Sequence, residues 1–210
     1  MFRLFNYSSF LILIVIFVFP LKAISKQNEI IQNQNTILTN CNIISCTGSK
    51  LMKNMTITIA GNKITEIKRG KYKPKRGDKK SKVIDLKGGY VLPGFWNMHM
   101  HLSGLLPDPN HVQDNESTAS ATIRAGLNAM DGIRHGFTSI RSVGERDYID
   151  IAWRDAFNQG YFMGPRIFAS GEPVTATGGH RGDVEFGSDG VPEIRKAVRQ
   201  RIQNGVDWIK

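Results

Sequence analysis

What most narrows the folds open to this sequence is a change of rhythm at Pro93. Before it come short runs that alternate apolar and polar residues with period two, broken by turn residues. Residues 36–44 form one run, and Met55-Thr56-Ile57-Thr58-Ile59 another. Gly61-Asn62 is a tight-turn pair, and 63–67 returns from it, which is a hairpin signature. A basic loop follows at 68–82, then a run at 82–86, a Gly88-Gly89 turn and Tyr90-Val91-Leu92. Residues 26–93 therefore read as a small all-β layer. After Pro93 strands alternate with helices. An apolar run at 94–102 leads to a helix at 118–134, with Ile123, Leu127, Met130 and Ile133 on one face. A strand at 138–143 precedes a helix at 148–159, with Ile149, Trp153 and Ala156 turned inward. A strand at 166–170, a Gly-rich loop at 171–190 and a helix with Pro192 in its first turn, reaching Asn204 and stopped by Gly205, complete the series. Residues 206–210 begin one more strand. This alternation predicts βα units on a parallel sheet, an α/β fold.

Composition removes some functions. The formal charge of +10 looks like a nucleic-acid signal until it is located. Twelve Lys and Arg residues between Lys50 and Lys82 face only Glu66 and Asp78, so this stretch carries the whole excess. Tyr72 is the one aromatic within it, where single-strand binding wants interleaved stacking platforms. A solvated turn is the expected reading, with no nucleic-acid partner. At the other end, Arg3 precedes an unbroken apolar run at 10–19 that ends at Pro20. Ten residues suit an export signal and fall short of the roughly 20 that span a bilayer. Ala23-Ile24-Ser25 offers a cleavage point, so residues 1–25 are expected to be a signal peptide and the protein secreted or periplasmic. Cys41 and Cys46, on one extended strand, would lie roughly 16 Å apart, against the 7 Å or so a disulfide tolerates. Both are expected as buried free thiols.

The chemistry centres on His99-Met100-His101. Residues two apart on a strand point to the same face, about 6.7 Å apart along the chain. Two imidazoles so placed can lean toward one cation at about 2.0–2.1 Å each. They also end the first strand of the βα series, and in a (β/α)₈ barrel active sites lie at the C-terminal strand ends. His111 and His135 fit no ligand spacing and are expected to be structural.

The run Gly88-Gly89-Tyr90-Val91-Leu92-Pro93-Gly94-Phe95-Trp96-Asn97-Met98-His99-Met100-His101-Leu102 resembles the amidohydrolase superfamily, whose members enter their barrel through a vLPGfxDxHxH stretch after a small β-sandwich. Gly136-Phe137-Thr138-Ser139-Ile140-Arg141-Ser142 is similar to that family's second barrel strand. Gly164-Pro165-Arg166-Ile167-Phe168-Ala169-Ser170-Gly171 is similar to its third. Thr177-Gly178-Gly179-His180 and Gly205-Val206-Asp207-Trp208-Ile209-Lys210 look like the branch of prolidase-like dipeptidases and imidazolonepropionase-type enzymes. The resemblance implies a β-sandwich over 26–93 and the first four βα units of a TIM-type barrel over 94–210. It implies that His99 and His101 bind the first of one or two divalent metals, usually Zn²⁺. It implies that Lys210 becomes carboxylated and bridges two ions, and that His180 contacts substrate. A free lysine must first lose its proton, which costs about 5 kcal/mol at pH 7, and metal binding would have to offset that. One departure is Asn97, where the family commonly has aspartate.

The family also needs two histidines from later strands and an aspartate from the eighth. Residues 94–210 are under half of the roughly 250 a full barrel takes. The expectation is thus a fragment of a metal-dependent hydrolase of carbon–nitrogen bonds, acting on a dipeptide or other small amide, the fragment itself inactive and aggregation-prone. A one-metal cyclic-amide hydrolase or deaminase, and a non-catalytic scaffold of the same fold, are the alternatives.

Overall fold

The computed structural model describes residues 35–74, 81–105, 116–180 and 187–210. The proposed export signal and His111 lie outside these residues. The chain divides into two compact units, Met1–Pro93 and Gly94–Lys210.

In the first unit the described residues form one five-stranded mixed sheet. Strand β1 (Asn35–Ile43) is central: it pairs antiparallel with β2 (Met52–Ala60), and parallel with β4 (Lys82–Asp85) and β5 (Tyr90–Val91). Strand β3 (Lys63–Arg69) extends the sheet beyond β2. Ala60 pairs with Lys63, so Gly61-Asn62 makes a two-residue hairpin turn, and Gly61 takes the positive φ of +59° that glycine adopts without strain. Ile37, Thr39, Cys41 and Ile43 alternate inward along β1. Cys41, Ile43, Met55 and Ile57 form the apolar core. Two threonines inside it are satisfied by bonding to each other, Thr39 Oγ1 to Thr56 Oγ1 at 3.0 Å, and to backbone at Tyr72 and Gly70. Both cysteines are free, but only Cys41 is buried. Cys46 is exposed, contrary to expectation, because it lies past the end of β1 in a bend at φ +58°.

In the second unit β6 (Phe95–Met100), β7 (Phe137–Ser142) and β8 (Arg166–Phe168) lie parallel, in that order. Helix α1 (Thr118–Arg134) joins the first two and α2 (Ile149–Asn158) the next two, while α3 (Gly190–Gln203) follows β8. Ser117 caps α1, its Oγ accepting the Ser120 N–H at 3.1 Å.

Two expectations are corrected here. Helix α1 does not bury Ile123 and Leu127, which are 65% and 60% exposed. Its inner face is Ala121, Ala125, Gly126 and Ala129. The large side chains of that interface come from the other elements: Leu102, Ile140, Ile149 and Ile167, with Trp153 and Phe157 packed against them. Small residues on the helix let the sheet and α2 approach closely. Residues 206–210 do not form a strand. Asp207 N–H donates to the Ala169 carbonyl at 2.8 Å, as a ladder would have it. The Asp207 carboxylate, however, takes the Ala169 N–H at 2.8 Å, and Arg154 holds it there at 3.0 Å. A side chain thus occupies the donor that backbone pairing needs.

Candidate metal centre

The site begins with an irregularity in β6. Asn97 pairs with Ile140 and Met100 with Ser142, so three steps on β6 match two on β7, which places an extra residue in β6. Bulges of this kind re-aim side chains beside functional sites. Asn97 supports this one, its Oδ1 accepting the N–H of His99 at 3.1 Å. The amide that replaces the expected aspartate therefore still supplies the acceptor. The rings of His99 and His101 lie edge to face, with centroids 5.7 Å apart and planes at 68°. Two imidazoles on one tetrahedral zinc at about 2.0–2.1 Å have centroids roughly 5.2 Å apart, so the observed separation lies within about half an ångström of what a shared ion needs.

His99 is exposed and His101 half-buried. Nδ1 of His101 lies 2.7 Å from the Gly144 carbonyl oxygen. A carbonyl only accepts, so Nδ1 carries a proton, and in the neutral ring this leaves Nε2 as the acceptor nitrogen, the form a metal requires. Gly144 has φ +123°, a conformation L side chains rarely take. The loop after His101 is held as well: Arg124 Nε donates to the Ser103 carbonyl at 2.9 Å, and Asn128 Nδ2 to that of Leu102 at 2.8 Å.

Lys210 is half-buried, its carbonyl accepting the Val174 N–H at 2.8 Å. His180 is exposed in the loop after β8. His135 closes the end of α1, its ring nitrogen 3.0 Å from the Asp131 carbonyl. No group of three or more His, Cys, Asp or Glu able to hold a metal occurs among the described residues. The histidine pair supplies two ligands.

Two buried carboxyls in this unit were not expected. Asp150 accepts the N–H groups of Ile151, Ser170 and Gly171 at 3.0, 2.9 and 3.0 Å, tying the start of α2 to the end of β8. Glu145, 1% exposed, accepts from Ser103. Burial raises its pKa to about 7, the Ser103 hydrogen bonds opposing and Asp150 adding to the rise. An acid three residues past the end of a barrel strand was the only sequence signal. The folded-state pKa is above the ordinary 4.5, so the folded form holds an extra proton between about pH 4.5 and 7. Stability is then fully present below that window and declines as pH rises through it. Glu145→Gln, which mimics the protonated group, is expected to gain on wild type across this range, reaching about 3 kcal/mol at pH 8. Urea denaturation at pH 4 and pH 8 checks this. An equal difference at both pH values would contradict it.

Alternating βα units with paired histidines at the end of the first strand are matched by the Amidohydrolase family model over residues 90–210, and the chain belongs to that family. Among solved structures, it is similar to an Xaa-Pro dipeptidase with methionine in its active site, at 32% identity and a TM-score of 0.71 over 83% of this chain and 46% of that one. It is also similar to a prolidase complexed with N-methylphosphonate-L-proline, at 28% identity and a TM-score of 0.67 over 84% of this chain and 46% of that one. Among curated proteins, ochratoxinase of Aspergillus niger is 28% identical, covering 57% of this chain and 30% of the relative. Adenine deaminase of Clostridium acetobutylicum is 31% identical, over 50% of this chain and 18% of the relative. The chain thus spans under half the length of each. The second unit is the front part of an amidohydrolase (β/α)₈ barrel.

Proposed function

We propose that the protein to which this chain belongs is a metal-dependent hydrolase of carbon–nitrogen bonds in small amides or dipeptides. The observation that carries this reading is the adjacent pair His99 and His101 at the C-terminal end of β6, with a His101 proton held on Nδ1. A divalent ion such as zinc, when bound, polarises a carbonyl and lowers the pKa of water from about 15.7 toward 7. His99 and His101 would hold it, and the Gly144 carbonyl would keep the second imidazole in its binding form. Lys210 and His180 keep the roles the resemblance implies, a carboxylated bridge and a substrate contact. The Xaa-Pro dipeptidase and prolidase neighbours favour a dipeptide substrate. The adenine deaminase relative supports a second reading, a one-metal deaminase. The apolar run at 10–19 supports export from the cytoplasm.

The test is metal content. The full-length protein is expected to retain zinc after desalting, and its His99→Ala/His101→Ala variant to lose it. Equal zinc in both would sink the reading. Two ions per chain in the full-length protein, dropping to one or none in Lys210→Ala, would favour the dipeptidase over the deaminase.

A further inference from the structure

The three residues after β7 reach across to the end of β6 and the two residues beyond it through four hydrogen bonds. Val143 N–H donates to the Met100 carbonyl at 2.9 Å. The Gly144 carbonyl accepts from His101 Nδ1 at 2.7 Å. The two carboxylate oxygens of Glu145 accept the Ser103 N–H at 3.2 Å and the Ser103 hydroxyl at 2.6 Å. Glu145 is itself anchored, its N–H donating to the Gly171 carbonyl at 2.9 Å. Of these three residues, Glu145 alone grips with its side chain, and it does so from a fully buried position. Burying a carboxylate is costly unless hydrogen bonds compensate, and a spacer at this place would be better apolar. The bonds of Glu145 and of its neighbour Gly144 fall on Ser103 and His101, two residues apart. Whatever fixes Ser103 relative to Glu145 therefore also fixes the imidazole relative to the Gly144 carbonyl.

We propose that Glu145 is a positioning residue: by gripping Ser103 through both oxygens it keeps the Gly144 carbonyl on His101 Nδ1, and so sets the tautomer and orientation of that imidazole. The consequence for metal affinity rests on the reading of His101 as a ligand. The consequence for the tautomer does not.

The experiment compares the metal-free full-length protein, labelled with ¹⁵N-histidine, as wild type, Glu145→Ala, Glu145→Gln and Ser103→Ala at pH 8. A His101→Asn variant assigns the His101 resonances. Wild type is expected to show the Nδ1–H tautomer at His101. Glu145→Gln keeps it, since the amide can accept the Ser103 N–H and donate to its hydroxyl. Glu145→Ala shifts it toward Nε2–H and weakens zinc binding by about 10–100-fold, the range for groups that orient ligands. Should Glu145→Ala not fold, Ser103→Ala removes only the hydroxyl bond and moves the tautomer in the same direction by less. A purely structural role would lower stability and leave the tautomer alone. An unchanged Nδ1–H signal in the alanine variants that fold overturns the proposal. A full-length wild-type protein that takes up no zinc overturns the proposed function instead, and the tautomer still decides the role of Glu145.

Discussion

Asp150→Ala is expected to destabilise the barrel unit by about 3–5 kcal/mol, a large share of the 5–15 kcal/mol that holds an ordinary domain together. Asp150 is fully buried, and one of its oxygens serves both Ser170 N–H and Gly171 N–H while the other serves Ile151. Alanine leaves the first two donors, both on buried residues, with no acceptor, at about 1–3 kcal/mol each. Asp150→Asn, which keeps one oxygen, is expected to fall between. Tryptophan fluorescence in urea is a clean readout, because Trp96, Trp153 and Trp208 all lie in the second unit. A loss under about 1 kcal/mol for the alanine variant would mean that these amides find other partners.

Gly126→Leu is expected to cost about 3 kcal/mol or more, for a different reason. A Cβ at Gly126 would lie 1.9 Å from Cζ2 of Trp153, far inside contact distance. The indole cannot simply withdraw, since its N–H donates to the Thr122 carbonyl at 2.7 Å and its ring packs against Phe157 and Phe162, each 5.3 Å away. Overpacking of this kind costs about 1–3 kcal/mol for small additions, and leucine adds a whole side chain. Gly126→Ala is milder, because alanine recovers about 1 kcal/mol of helix propensity. Thermal unfolding of both variants, alone and with Trp153→Leu, tests the contact. If the indole is what forbids a side chain at Gly126, Trp153→Leu should restore part of the stability lost with Gly126→Ala.

These contacts also mark where sequence reading succeeds. The α1 boundaries and the Gly61-Asn62 hairpin depend on neighbours a few residues away, and were legible. The buried face of α1 was not. Periodicity weighs large apolar residues, which pointed to Ile123 and Leu127. The interface instead uses alanines and a glycine, because Trp153, 27 positions from Gly126, supplies the volume. In the site, His99 and His101 stood out by spacing and by their place at a strand end. Glu145 and Asp150 did not, because their partners lie 42 residues before one and 20 and 21 after the other. Residues 206–210 looked extended from composition alone, but the Asp207 carboxylate competes for the hydrogen bond a strand would need. Local rules cannot see that competition.

The central position of β1 also bears on how the first unit assembles during synthesis. The hairpin of β2 and β3 can close as soon as it leaves the ribosome, whereas β1 must wait for β4 and β5, its register running from Thr36 with Lys82 to Ile43 with Val91. Pairings so distant along the chain close slowly. The first of the described strands to emerge therefore keeps one hydrogen-bonding edge unmatched until Val91 has been made, and it is there that a nascent chain would most need a chaperone.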